Sequence, residues 1–161
     1  MTSQGCEGEN MELKNYQKKV IADLQNYLHS LKQSANLAEA WKNYWQTKDI
    51  AVGNGGVPAY KDNIQGVPAV CMKVPTGGGK TFLACSAIKH IFDFMPAEKP
   101  KLVVWLVPSD PILEQTLKNL SNPDHPCKQA LDRDFGGRVQ VLNKLCCLTA
   151  KAFRQIRCSR F

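Results

Sequence analysis

No apolar run in this 161-residue chain approaches the length of a membrane span. The longest, Leu102–Val107, has six residues, where a helix crossing a bilayer needs about 20. The opening ten residues, Met1–Asn10, are polar and slightly acidic. They lack the basic start and apolar middle of a secretory signal, so the expectation is a cytoplasmic protein with no membrane partner. No Cys-x-x-Cys pair occurs among the seven cysteines, and the three histidines (His29, His90, His125) stand at no companion spacing. A structural zinc site needs four convergent ligands, usually in close pairs, so none is expected. Reduced, mostly incidental thiols fit a cytoplasmic chain better. Internal repeats are lacking too.

Charge is unevenly spread. The net charge is +7, but Lys144–Phe161 alone holds five bases and no acid, which leaves only +2 for residues 1–143. Basicity therefore belongs to the tail and says little about a nucleic-acid partner for the body. The apolar share of 43% and charged share of 22% are those of a globular domain rather than a disordered chain.

Two kinds of periodicity organise the chain. Leu13, Tyr16, Val20, Leu24, Tyr27, Leu28 and Leu31 recur at helical spacing, predicting a helix over Met11–Lys32. Leu37, Ala40, Trp41, Tyr44 and Trp45 predict a second, whose aromatics are expected to pack in a core rather than stack on bases. Residues 49–68 hold four glycines and two prolines, an irregular connection long enough to be functional or mobile. Beyond it, Ala69–Val74 and Leu102–Val107 are short apolar runs suited to buried strands, with Val139–Leu142 a third. Helical patterns follow at Thr81–Phe94, from Pro111, and near Cys127–Leu131. Strand–helix–strand–helix with unalternated strands predicts a parallel sheet flanked by helices, an α/β fold.

The chemistry is carried by Val74-Pro-Thr-Gly-Gly-Gly-Lys-Thr81, set between a predicted strand and a predicted helix. This is a phosphate-binding loop (P-loop) for a nucleoside triphosphate. Gly77, Gly78 and Gly79 let the backbone turn several N–H groups toward phosphate oxygens. The helix start adds unpaired N–H groups and the positive end of its dipole. Lys80 would reach the β- and γ-phosphates, and the Thr81 hydroxyl would complete Mg²⁺ coordination. Val74 stands where the general pattern has its first glycine.

Thr76–Thr81 matches the shorter form T-G-x-G-K-T and resembles the loop of superfamily-two helicases. Two further segments carry the same resemblance. Leu102–Thr116 is similar to the strand-turn-helix motif in which the turn contacts the nucleic-acid backbone, which implies that role for Pro108 and Ser109. The plain alternative is a turn capped by Ser109 or Asp110. Leu13-Lys-Asn-Tyr-Gln17 resembles the signature in which a glutamine reads adenine, a role that falls to Gln17; its alternative is a glutamine on the solvated helix face. Thr76 joins the nucleotide-binding set. The wording is most similar to the restriction (Res) subunit of type III restriction enzymes and related DEAD/DEAH-like proteins. The resemblance spans residues 11–142 and implies a P-loop NTPase fold with a partial RecA-like domain. It also implies ATP and Mg²⁺ as cofactors, DNA as a partner, and an associated modification subunit.

One requirement of such motors is missing. No Asp-Glu pair, needed to hold Mg²⁺ and orient the attacking water, occurs after Lys80, and no second motor domain follows. The expected organisation is a helical segment over residues 1–48, the connection over 49–68, a partial RecA-like domain over 69–143 and a basic tail over 144–161. The tail lacks acids, glycine and proline and holds three of the seven cysteines. It fits a basic amphipathic tail, or a frame change near Asn143 that cut a longer motor. On this reading the parent activity is ATP hydrolysis coupled to translocation along DNA, with little hydrolysis by this chain. Two other readings stay open: a small stand-alone P-loop kinase or NTPase, and a non-enzymatic nucleic-acid-binding module.

Overall fold

A computed structural model describes residues 12–143. The lead and the basic tail, including the frame-change question at Lys144–Phe161, lie outside the described residues. Two compact units divide the chain between Lys101 and Leu102.

The first unit holds three helices: α1 (Asn15–Gln33), α2 (Leu37–Gln46) and α3 (Lys80–Phe94). Helix α1 buries Gln17, Ile21, Leu24 and Tyr27, a stripe at three- and four-residue intervals that faces one side. Ile21 and Leu24 pack with Leu83 and Ala87 of α3, and Leu13, Val20, Leu28 and Val74 close around them. Leu83 is 2% exposed, so the helix that follows the phosphate loop is seated on α1 by its second turn.

Helix α2 begins at Asn36, whose side chain accepts from the Glu39 N–H at 2.9 Å, a side-chain cap for an otherwise orphan donor. Ala40 is fully buried and lets α2 approach α1 closely. The aromatic residues contact one another as expected: Tyr27 meets Trp41 and Tyr44 edge-on, with ring centres 6.1 and 5.6 Å apart. Trp45 meets Trp41 and Tyr44 in the same way. Edge-to-face pairs of this kind add to the burial of the rings themselves. Two polar atoms of this cluster, the Tyr27 hydroxyl and the Trp45 Nε1, are buried without a hydrogen-bond partner.

The long Gly/Pro connection is pinned rather than loose. Trp41 Nε1 donates to the Pro58 carbonyl at 2.9 Å, and the Tyr60 hydroxyl accepts from Ala69 N–H at 2.8 Å. A single bridge joins Val52 to Val57.

The second unit, described from Leu102 to Asn143, holds α4 (Asp110–Ser121) and α5 (Pro126–Phe135), packed through Leu120, Cys127, Ala130 and Leu131. Both helices have proline in the first turn, where its missing N–H has no partner to lose. His125 Nδ1 accepts from Cys127 N–H. Helix α5 ends at Gly136, which takes the left-handed conformation with φ 61°.

The expected parallel sheet has no counterpart among the described residues. Neither Ala69–Val74, Leu102–Val107 nor Val139–Leu142 forms a strand. The reason is that a strand exists only through hydrogen bonds to a neighbour, and apolar composition supplies none. In the second run Leu102, Val104 and Leu106 are 77%, 72% and 87% exposed. A run of this composition becomes a strand when both faces are covered, and here they are not. No helix among the described residues is long and apolar enough to cross a membrane.

Candidate nucleotide-binding site

Gly77 and Gly79 take positive φ, 75° and 68°, while Gly78 between them does not. Such alternation in hand turns successive N–H groups toward one side. The Gly78 N–H closes the turn on the Pro75 carbonyl at 3.0 Å. Side chains are excluded at two of the three positions. A Cβ on Gly78 would come within 2.8 Å of Val74 Cγ1 and 2.9 Å of the Pro75 oxygen, and one on Gly79 within 2.8 Å of Gln17 Nε2. Gly79 then caps α3 without a side-chain acceptor, leaving the first N–H groups of the helix open to an anion.

Lys80, exposed at the start of α3, donates from Nζ to the Pro75 carbonyl at 3.2 Å, so its ammonium already lies across the loop. Thr81 is half-buried in the first turn and Thr76 is exposed. These groups fit a triphosphate: open amides, a cation, and glycines at 77 and 79 in a left-handed conformation that side chains disfavour. For Mg²⁺ the described residues offer no cluster of three or more His, Cys, Asp or Glu.

Gln17 departs from one of its two sequence alternatives. It is 4% exposed, so it is not on a solvated face. Its Oε1 accepts from the Lys14 N–H at 2.9 Å, satisfying an orphan donor at the start of α1, and its Nε2 donates to the Gly78 carbonyl at 3.0 Å. A primary amide has two donor hydrogens and two acceptor lone pairs, and these two bonds use one of each. The neighbouring Tyr16, assigned by periodicity to the apolar stripe, sits at its edge and donates from its hydroxyl to the same Gly78 carbonyl at 2.6 Å. Sequence reasoning missed this contact. The available signal was the register: Gln17, not Tyr16, lies four and seven residues before Ile21 and Leu24.

Pro108 and Ser109 belong to the second unit. Ser109 is the N-terminal cap of α4 by position, yet its hydroxyl makes no cap hydrogen bond. The capping alternative therefore does not hold for Ser109. Both residues are exposed, with Asp110 in the first turn.

Compared with known families, residues 10–154 match the model of the type III restriction enzyme, res subunit. The chain belongs to that family. Membership carries the P-loop NTPase fold and a helicase-like, ATP-binding character, with ATP and Mg²⁺ in general use and DNA as the molecule the family engages. Searches of the curated proteins and of the solved structures returned no match.

Proposed function

We propose that this chain holds the triphosphate of Mg²⁺–ATP in Thr76–Thr81, as the nucleotide-binding part of a DNA-translocating motor of the type III restriction class. The observation that carries the reading is the anchored loop. Gly78 is fixed to α1 by two hydrogen bonds while Gly77 and Gly79 keep positive φ and the α3 amides stay open. A pre-shaped anion site loses less entropy on binding than a loop that must first order itself.

In this reading Lys80 exchanges its contact with the Pro75 carbonyl for the β- and γ-phosphates. Thr81 orients Mg²⁺, which when bound offsets phosphate charge. Gln17 offers adenine its remaining N–H and lone pair, so the base is sensed by a residue that also touches the loop. Ser109 and the open amides at the α4 start are donors suited to a DNA phosphate, and Pro108, which has no N–H of its own, fixes the turn that presents them. A modification subunit is the further partner, and the cytoplasm the compartment. The parallel sheet would form when Ala69–Val74 gains a neighbouring strand. Hydrolysis needs an acid pair that these 161 residues do not contain after Lys80, so binding is the activity expected of this chain itself.

Lys80→Ala tests the reading. Calorimetry should register ATP binding to the wild-type chain and its weakening, by roughly 10- to 100-fold as for a lost hydrogen bond between charged groups, in a variant with unchanged helical signal. Equal affinities would refute the assignment.

A further inference from the structure

The Tyr16 hydroxyl contact is long-range in sequence, 62 residues from its acceptor, and it falls on the most sensitive peptide of the loop. Three consecutive glycines give the loop its shape and also its freedom, since glycine populates both hands of φ with little preference. The peptide between Gly78 and Gly79 can therefore turn over at small cost unless something holds it. Turned over, it would aim a carbonyl oxygen where an anion has to sit.

Two donors on α1 oppose that. Tyr16 Oη lies 2.6 Å and Gln17 Nε2 3.0 Å from the Gly78 oxygen, which occupies both of its lone pairs. No peptide bond here is cis. In a trans peptide the N–H points opposite to the C=O, so anchoring the Gly78 oxygen on α1 directs the Gly79 N–H away from α1. The same Tyr16 oxygen would be 3.4 Å from a Cβ at position 78, so the hydroxyl also limits what that position can hold.

We propose that Tyr16 is a positioning residue for triphosphate binding, its hydroxyl latching the Gly78 carbonyl so that the Gly79 N–H is presented to phosphate. This rests on the reading of Thr76–Thr81 as a triphosphate site. Tyr16 acts through the loop and not on the base, so its effect is the same for every ligand that carries the phosphates. Gln17, which shares the carbonyl, has amide capacity left for adenine; Tyr16 has a single hydroxyl hydrogen, and it is committed to the loop.

The test is Tyr16→Phe in the full chain, which keeps the ring and removes one oxygen. Affinities for inorganic tripolyphosphate, ATP and GTP are measured by calorimetry with Mg²⁺, beside Lys80→Ala. The latch predicts a loss of about three- to tenfold, the worth of one hydrogen bond, equal across the three ligands and with the helical signal retained. Wild-type affinity in Tyr16→Phe, while Lys80→Ala weakens binding, would overturn the latch and leave the site standing. Loss for ATP alone would assign the hydroxyl to the base and also overturn it. A Tyr16→Phe chain without helical signal at 25 °C would make the hydroxyl a folding contact and likewise defeat the proposal. Undiminished binding in Lys80→Ala would instead remove the site on which the latch rests.

Discussion

Two helix starts in this protein were expected to meet phosphate, and they are built differently. At the start of α3, Gly79 is left-handed, Gly78 is buried, and two side chains from α1 hold the turn. At the start of α4, Ser109 is extended, its hydroxyl is uncommitted, and the apolar run that leads into it is exposed. The first is fixed by tertiary contacts before any ligand arrives; the second is shaped by local sequence alone. Pre-organisation by distant contacts therefore belongs to the start of α3, the candidate nucleotide site.

The largest effect on this contrast should come from removing the floor beneath α3. Leu83→Ala takes a nearly fully buried side chain out of the α1–α3 core and should lower stability by about 2–5 kcal/mol. Urea denaturation would measure it. A change below half of that range would mean the loop does not depend on its seat against α1.

Gly79→Ala attacks the loop directly. The position has φ 68°, and the new Cβ would meet Gln17 Nε2, so strain of order 1–3 kcal/mol is expected. ATP affinity should fall tenfold or more, read by calorimetry. An alanine variant that binds normally would show that the left-handed turn is dispensable.

Ser109→Ala should be milder and confined to the other helix start. Removing one phosphate donor is worth roughly 0.5–1.5 kcal/mol, a few-fold in DNA affinity by fluorescence anisotropy at low salt, with ATP affinity unchanged. If both ligands weaken together, the two starts are not independent.

The smallest change is Tyr27→Phe, beneath the aromatic cluster. Burial, with Tyr60 nearby, raises the Tyr27 pKa from 10.0 to about 12. The folded chain thus keeps a proton that the unfolded chain releases, so stability holds below pH 10 and declines as pH rises from 10 to 12. Phenylalanine removes both that decline and an unpaired buried hydroxyl, so near pH 7 the variant should be neutral or slightly more stable. Denaturation midpoints at pH 8 and pH 11 would decide it; a variant as alkali-sensitive as the wild type would place the titrating group elsewhere.

Much of this could be read from residues. The phosphate loop was legible because Gly-Gly-Gly-Lys-Thr between an apolar run and a helical pattern serves few other purposes. The helices were legible because three- and four-residue spacing reflects the geometry of one helix and needs no partner. Their observed bounds agree with the periodicity to within four residues, the largest differences being at the start of α1, Asn15 rather than Met11, and at the end of α5, Phe135 rather than Leu131. The family resemblance was carried by the same short segments.

The strands and the roles of α1 were not legible in that way. Leu102–Val107 has the composition of a buried strand, but a strand is a relation between two segments, and no composition states whether the second is in place. Gln17 and Tyr16 sit more than 60 residues from Gly78 in sequence, and no local pattern announces that both donate to one carbonyl. By itself the sequence determined where helices run, where the chain turns, and which loop can cradle phosphate, because those follow from backbone freedom and periodicity within a few residues. Only the tertiary structure decided that α1 grips the loop and that the apolar runs stay unpaired, because each depends on two distant parts of the chain meeting in space.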